Sequence, residues 1–284
     1  MDKPEAKYNV GVALSGGGAR GFAHIGALVA LEEAGFKPDI IAGVSAGSVI
    51  AVLYASGMKP AQMLELFANR KFNDFAKFSL GNGSIFSAER FKNFIMKAIE
   101  PRETFEDMSI KTVICATDFD NGAPHIFDKG SLADPMLASC SIPIVFPPVV
   151  IDGVRYVDGG VLRNMPSWSI RDKCRVLIGV NVSPVKPVPG AKESGILDIA
   201  LHTYNLMAKS NQKADMKICD IAIETPEIST YQVFNLKDMQ KVYRSGYLNT
   251  RRTLKKMGLW KQAAANQPKN TNQSSSTREN DIQK

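Results

Sequence analysis

Two strand–turn–helix units in succession constrain this chain more than any other feature. Residues 8–14 are a short apolar run rich in strand formers, followed by a glycine-rich turn and an apolar-periodic helix over 19–34 that Gly35 stops. Residues 39–44 repeat the strand pattern, Ser45 falls at the turn, and 46–56 are helical up to Gly57. Strands joined by crossover helices lie parallel, so the pattern predicts an α/β fold, a mostly parallel central sheet flanked by helices. Further strands are expected at 112–116, 124–127, 149–151, 155–157, 175–182 and 218–223, with Asp152-Gly153 as a hairpin turn. Sheet-covering helices are expected at 88–99 behind an N-cap at Ser87, at 196–217 and at 236–257.

The chain has 284 residues, 44% of them hydrophobic and 22% charged, which suits one sizeable domain over 1–260. From 261 to 284 the sequence is Asn, Gln, Ser, Thr and charge, a composition expected to stay disordered. Cys115, Cys140, Cys174 and Cys219 form no C-x-x-C pair, which argues against zinc and redox motifs. They read as small buried residues of a reducing compartment. The polar N-terminus lacks a secretory pattern, so a cytoplasmic location is expected. The most apolar stretch, 141–151, is broken by Pro143, Pro147 and Pro148 and falls short of the ~20 residues of a membrane span. A formal net charge of +7 favours anionic surfaces, although a solvated basic surface explains it as well. Neither a nucleic-acid partner nor any cofactor or metal is expected, and the oligomeric state is left open.

Gly43-Val44-Ser45-Ala46-Gly47 is a G-x-S-x-G between a strand and a helix, the context of a nucleophile elbow. Its plainer reading is an ordinary small-residue turn. Gly16-Gly17-Gly18-Ala19-Arg20-Gly21 opens the first helix and offers backbone N–H groups to negative charge. Gly16, Gly18 and Gly21 also satisfy the dinucleotide pattern G-x-G-x-x-G, but the acid that pattern requires at the second strand's end is replaced by Ser45. An oxyanion hole is the better reading, with Arg20 adding charge beside it. Asp158-Gly159-Gly160 puts a carboxylate at a strand end.

In this order the three motifs resemble those of the patatin-like phospholipase family. The resemblance spans roughly 8–182 and includes the segments Ala138-Ser139-Cys140-Ser141-Ile142-Pro143 and Phe146-Pro147-Pro148. It implies a three-layer α/β fold, a Ser45–Asp158 dyad without histidine, and hydrolysis of lipid or fatty-acyl esters of the phospholipase A, lysophospholipase or carboxylesterase kind. It maps the oxyanion loop onto Gly16, Gly17, Gly18 and Arg20. Ser15 departs from plant-type members, which carry an acidic residue there.

Two competitors stand beside it. Ser45, Asp158 and His202 occur in the chain order of an α/β-hydrolase triad, while His24 and His125 show no carboxylate partner in sequence. A phosphate- or nucleotide-binding module would use the 16–21 loop instead. Phe67, Phe72, Phe75, Phe78 and Phe86, interleaved with Arg70, Lys71 and Lys77, suggest either a mobile cover with peripheral membrane contact or ordinary core.

Overall fold

The central strands are buried almost continuously, and successive side chains enter two apolar cores on opposite faces of the sheet. A computed structural model describes residues 6–75, 77–81, 84–184 and 195–260; the polar tail expected at 261–284 lies outside them. In chain order the strands and helices are β1 Tyr8–Leu14, α1 Phe22–Glu33, β2 Ile40–Gly43, α2 Ala46–Ala55, α3 Pro60–Phe67, α4 Phe72–Phe75, β3 Lys77–Gly81, β4 Ser84–Ser87 and α5 Glu89–Ile99. Then follow β5 Lys111–Asp118, β6 Ala123–Phe127, α6 Ala133–Ser139, β7 Val149–Ile151, β8 Val154–Asp158, β9 Cys174–Asn181, α7 Ile196–Lys217, β10 Ile221–Glu224 and α8 Met239–Lys256.

The main sheet has the order β10-β9-β1-β2-β5-β8-β7, with β6 also paired to β5. The run from β10 to β5 is parallel throughout, as the repeated strand–helix units require. Beyond β5 the direction reverses: β6 and β8 both pair with it antiparallel. Val12, Leu14, Ile41, Ile114, Ile178 and Val180 face one core with α1, α2, α5 and α8. Ala13, Ile40, Ala42, Val113, Cys115 and Leu177 face a smaller one, closed by Met165, Ile170 and Met216. These faces give the three layers, and each fully buried Leu or Ile contributes roughly 1.5–3 kcal/mol to them.

The local signals are read well. After α1, Gly35 takes φ +87° while its N–H donates to Glu32 O and that of Phe36 to Leu31 O, closing the helix as a Schellman motif. Asp152 and Gly153 both have positive φ, the turn that joins twisted antiparallel strands such as β7 and β8.

Several expectations need correction. The helix expected from 19 begins at Phe22, behind a 3₁₀ turn over Gly18–Gly21. The N-cap of α5 is Ala88, and Ser87 Oγ only accepts a long 3.5 Å bond from Glu89 N–H. α3, α4, α6 and the β3–β4 hairpin were not expected. α7 has the expected bounds, but it does not simply cover the sheet. Its inner side meets the 159–164 turn, while Ile196, Ile199, Leu206 and Met207 remain exposed.

Candidate active site

Ser45 sits where β2 must turn sharply into α2, and its backbone shows the strain: φ 52°, ψ −126°, a region that costs a non-glycine residue about 1–3 kcal/mol. Surrounding bonds hold it there. Ser45 N–H donates to Ser139 Oγ at 2.8 Å, and Ser139 Oγ–H donates to Cys115 O at 2.7 Å. Ser45 O accepts from Ser48 N–H and from Ser48 Oγ–H. The turn also needs bare backbone, because a Cβ on Gly47 would run into the carbonyls of Leu14 and Ser15. A Cβ on Gly43 would meet Gly47 and Ser48 in the same way.

Asp158 reaches this elbow from the opposite direction. β2 and β5 pair Gly43 with Ile114, and β5 and β8 pair Ala116 with Asp158. Two residues beyond Gly43, Ser45 therefore comes to the row that Asp158 occupies. Asp158 is completely buried, its N–H donates to Ser141 O at 2.9 Å, and its carbonyl accepts from Thr117 Oγ1–H at 3.1 Å. Oδ1 accepts two bonds, from Gly160 N–H at 2.8 Å and from the Tyr204 hydroxyl at 2.9 Å. Oδ2 has no hydrogen-bond partner of ordinary geometry, although the Ser45 side chain lies near enough to favour the ionised carboxylate. Burial outweighs these bonds and pushes the Asp158 carboxyl up to about 6.

Of the glycine-loop amides, Gly16 N–H is spent on Asn164 O, Ala19 N–H on Val233 O and Arg20 N–H on Gly17 O. Among the described residues, Gly17, Gly18 and Ala46 N–H donate to no protein acceptor. Gly18 and Ala46 line an apolar cavity of about 150 Å³ at Ser45, walled by Phe22, Phe67, Phe75, Phe91, Phe146 and Phe234. The first residue of α2 is thus a donor that the glycine motif did not point to; the G-x-S-x-G pattern itself holds the signal. Gly21 packs on Ala46 and Gly159 on the Cys115 carbonyl, so the motif glycines serve the close approach of turns at one sheet edge.

Arg20 is a correction. Its Nε–H donates to Tyr231 O at 2.9 Å and its second amino group to Ser229 O at 3.2 Å. The guanidinium straps a distant loop and lines no part of the cavity: two carbonyls accept from it, whereas the positive N-terminal end of the helix disfavours a cation. Arg20→Ala should lower stability by about 1–2 kcal/mol in urea unfolding, while kcat falls far less than the ~10²–10³ that loss of an oxyanion donor costs.

The histidines stand apart from the pair. His202 is exposed on α7; Tyr204, two residues and about 200° further round the helix, is the one that turns inward to Asp158. His24 is buried, with Nε2 2.8 Å from Ser15 O, and burial lowers it to about 4. His125 packs in tilted contact with Phe127 and Tyr156, which also touch each other. Among the described residues no histidine bonds to Ser45 or Asp158, so the triad reading loses its third member.

The phenylalanine stretch divides. Phe67 and Phe75 are core, in edge contact with each other at 6.0 Å and with Phe94, and Phe86 is half-buried. Arg70 lies over the Phe94 ring at 5.4 Å, and both Arg70 and Lys71 are exposed. The side chains of Phe72, Phe78 and Lys77 lie outside the described residues. Sequence reasoning missed Tyr204 and Asn211, which belong to no local motif, and gave no role to Ser139, although the segment 138–143 carried part of the family resemblance. Asn211 Nδ2–H donates to Gly160 O and its Oδ1 accepts from Asn164 N–H.

Fold and site together define an α/β protein with a strained strand-to-helix serine turn beside a buried carboxylate. Residues 12–169 match the sequence model described as patatin-like phospholipase, and the chain belongs to that family. It is 31% identical over 187 residues to a patatin-like phospholipase domain-containing protein of Caenorhabditis elegans, covering 62% of this chain and 14% of that protein. It is 25% identical over 269 residues to Lysophospholipase NTE1 of Meyerozyma guilliermondii, covering 84% of this chain and 19% of the relative. The chain spans less than half the length of the curated relatives it matches, 44% for a mycobacterial one. The crystal structure of VipD from Legionella pneumophila shares the fold, with TM-score 0.60 at 16% identity over 88% of this chain and 67% of that one.

Proposed function

We propose that the chain hydrolyses carboxylic esters of lipids, with Ser45 as nucleophile and Asp158 as its base. The observation that carries this reading is the unpartnered Oδ2 of a buried carboxylate at the strained elbow serine, beside an apolar cavity. The Ser45 Oγ–H bond breaks toward Oδ2 as Oγ bonds to the ester carbonyl carbon, and the carbonyl π pair moves onto oxygen. In this mechanism the free N–H groups of Gly18 and Ala46, with that of Gly17, donate to the oxyanion. The proton on Oδ2 then passes to the departing alkoxide, and water releases the acyl group by the same steps. An alkoxide leaves with less proton assistance than an amine, so esters rather than peptides are the substrates.

A cavity of about 150 Å³, roughly the size that holds one benzene, takes the carbons nearest the carbonyl and leaves the rest of a long acyl chain to the mouth. The names of relatives such as the lysophospholipase support a single-acyl phospholipid as substrate. No helix among the described residues is long and apolar enough to cross a membrane. A fluorophosphonate probe should attach covalently to Ser45, located by peptide mass. Attachment to another residue, or none by a protein that turns over esters, would overturn the assignment.

A further inference from the structure

A carboxylate that serves as base has two oxygens, and only the one facing the nucleophile is useful. In Asp158 the choice is made by a residue from a separate element, 46 positions along the chain. We infer that Tyr204 is a positioning residue: with Gly160 N–H its hydroxyl occupies Oδ1 and reserves Oδ2 for the Ser45 proton. The inference rests on the dyad reading above.

Three observations meet here. The Tyr204 hydroxyl donates to Oδ1 at 2.9 Å, and Oδ2 is left without a bond. The hydroxyl packs against Gly160, where any Cβ would collide with it, so the Asp-Gly-Gly turn is shaped to admit the phenol as well as to bend. The helix that brings it is keyed to the same turn: Asn211 bonds Gly160 O and Val161 O, and Asn164 Nδ2–H donates to Gln212 Oε1 at 3.1 Å. Tyr204 thus approaches in a fixed direction and holds the carboxylate plane against rotation.

Tyr204 keeps its proton throughout, since burial and the adjacent carboxylate raise it well above the ordinary tyrosine value. The titratable groups facing Asp158 are Tyr204 from α7 and Cys140 at the end of α6, the latter also raised by burial. Both stay neutral at working pH, so the Asp158 proton affinity is set by burial opposed by the bonds from Gly160 and Tyr204 and by the nearby Ser45 side chain. Removing the hydroxyl removes a bond that favours the ionised form.

The test is Tyr204→Phe in the full chain, with a p-nitrophenyl ester as probe across pH 4–9. The acidic limb of kcat should move up by about one pH unit, near the low end of what a bond to a charged group is worth. KM should stay within about two-fold, because the ring that lines the turn is kept. Fluorophosphonate labelling should slow below pH 7 and recover toward pH 9. A limb that stays where it is, with kcat unchanged, would overturn the inference. Tyr204→Leu gives a second reading: a fall in kcat at all pH with no shift of the limb in either variant means that Tyr204 only fills space, which also overturns it. Failure of the underlying reading looks different, for then Ser45→Ala and Asp158→Asn would themselves still turn over the ester.

Discussion

Asp158→Asn should abolish ester hydrolysis, by about 10⁴-fold or more in kcat, while His202→Ala, His125→Ala and His24→Gln each retain most of it. An amide of the same shape fits the pocket and can accept the bonds of Gly160 and Tyr204 on its oxygen, yet it cannot take up the Ser45 proton. Thermal unfolding of the variant would show the fold intact, which separates lost chemistry from lost structure. The pH profile adds an independent reading. The Asp158 carboxyl is raised by burial from 3.8 to about 6, so it is protonated, and useless as a base, below that value. Wild-type activity should therefore rise with pH through about 6 and level off above it, in each histidine variant as well. A folded His202→Ala protein without activity would instead require an imidazole base and sink the two-residue mechanism.

Gly246→Ala should destabilise the protein by about 2 kcal/mol, lowering Tm by roughly 4–8 °C. The sign is what makes this informative. In an ordinary exposed helix, glycine to alanine gains about 1 kcal/mol from propensity alone. At Gly246, within α8, a Cβ would stand 2.6 Å from the Ala23 carbonyl carbon and 2.7 Å from its Cα, in α1. The contact is reciprocal, since a Cβ on Gly26 of α1 would press on the backbone of Tyr243 and Tyr247. Neither obstacle is a side chain that can rotate away, so the helices must separate and loosen the core that Ile25, Leu28 and Val242 share. An unchanged or higher unfolding midpoint would show that α1 and α8 have room to spare.

The sequence by itself determined what depends on neighbours within a few residues. A G-x-S-x-G between a strand and a helix marks a tight turn at the sheet edge, and Gly35 and Gly57 stop their helices through backbone bonds spanning one turn. Two such units imposed the parallel half of the sheet, because crossover helices leave no alternative. The glycines before Ser45, and the pair after Asp158, were legible because only bare backbone admits the close contacts found there.

What only the tertiary structure decided are the pairings across long separations. Asp158 follows a strand in sequence, but nothing local says that this strand runs against β5 and delivers the carboxylate to the row of Ser45. The sequence placed the Arg20 charge beside the glycine turn; its guanidinium goes to the carbonyls of Ser229 and Tyr231, more than 200 residues on. Helix periodicity placed both His202 and Tyr204 on α7 and could not tell which one faces Asp158, because the phase of a helix against its neighbours is fixed by packing, here through Asn211 and Gln212. Ser139 lies in a segment that the family resemblance marked, but its bond to the elbow 94 residues away is not legible in that segment. Backbone conformation is set by sterics within a few bonds, whereas a side chain's partner is set by strand register and helix phase, which only the assembled core defines.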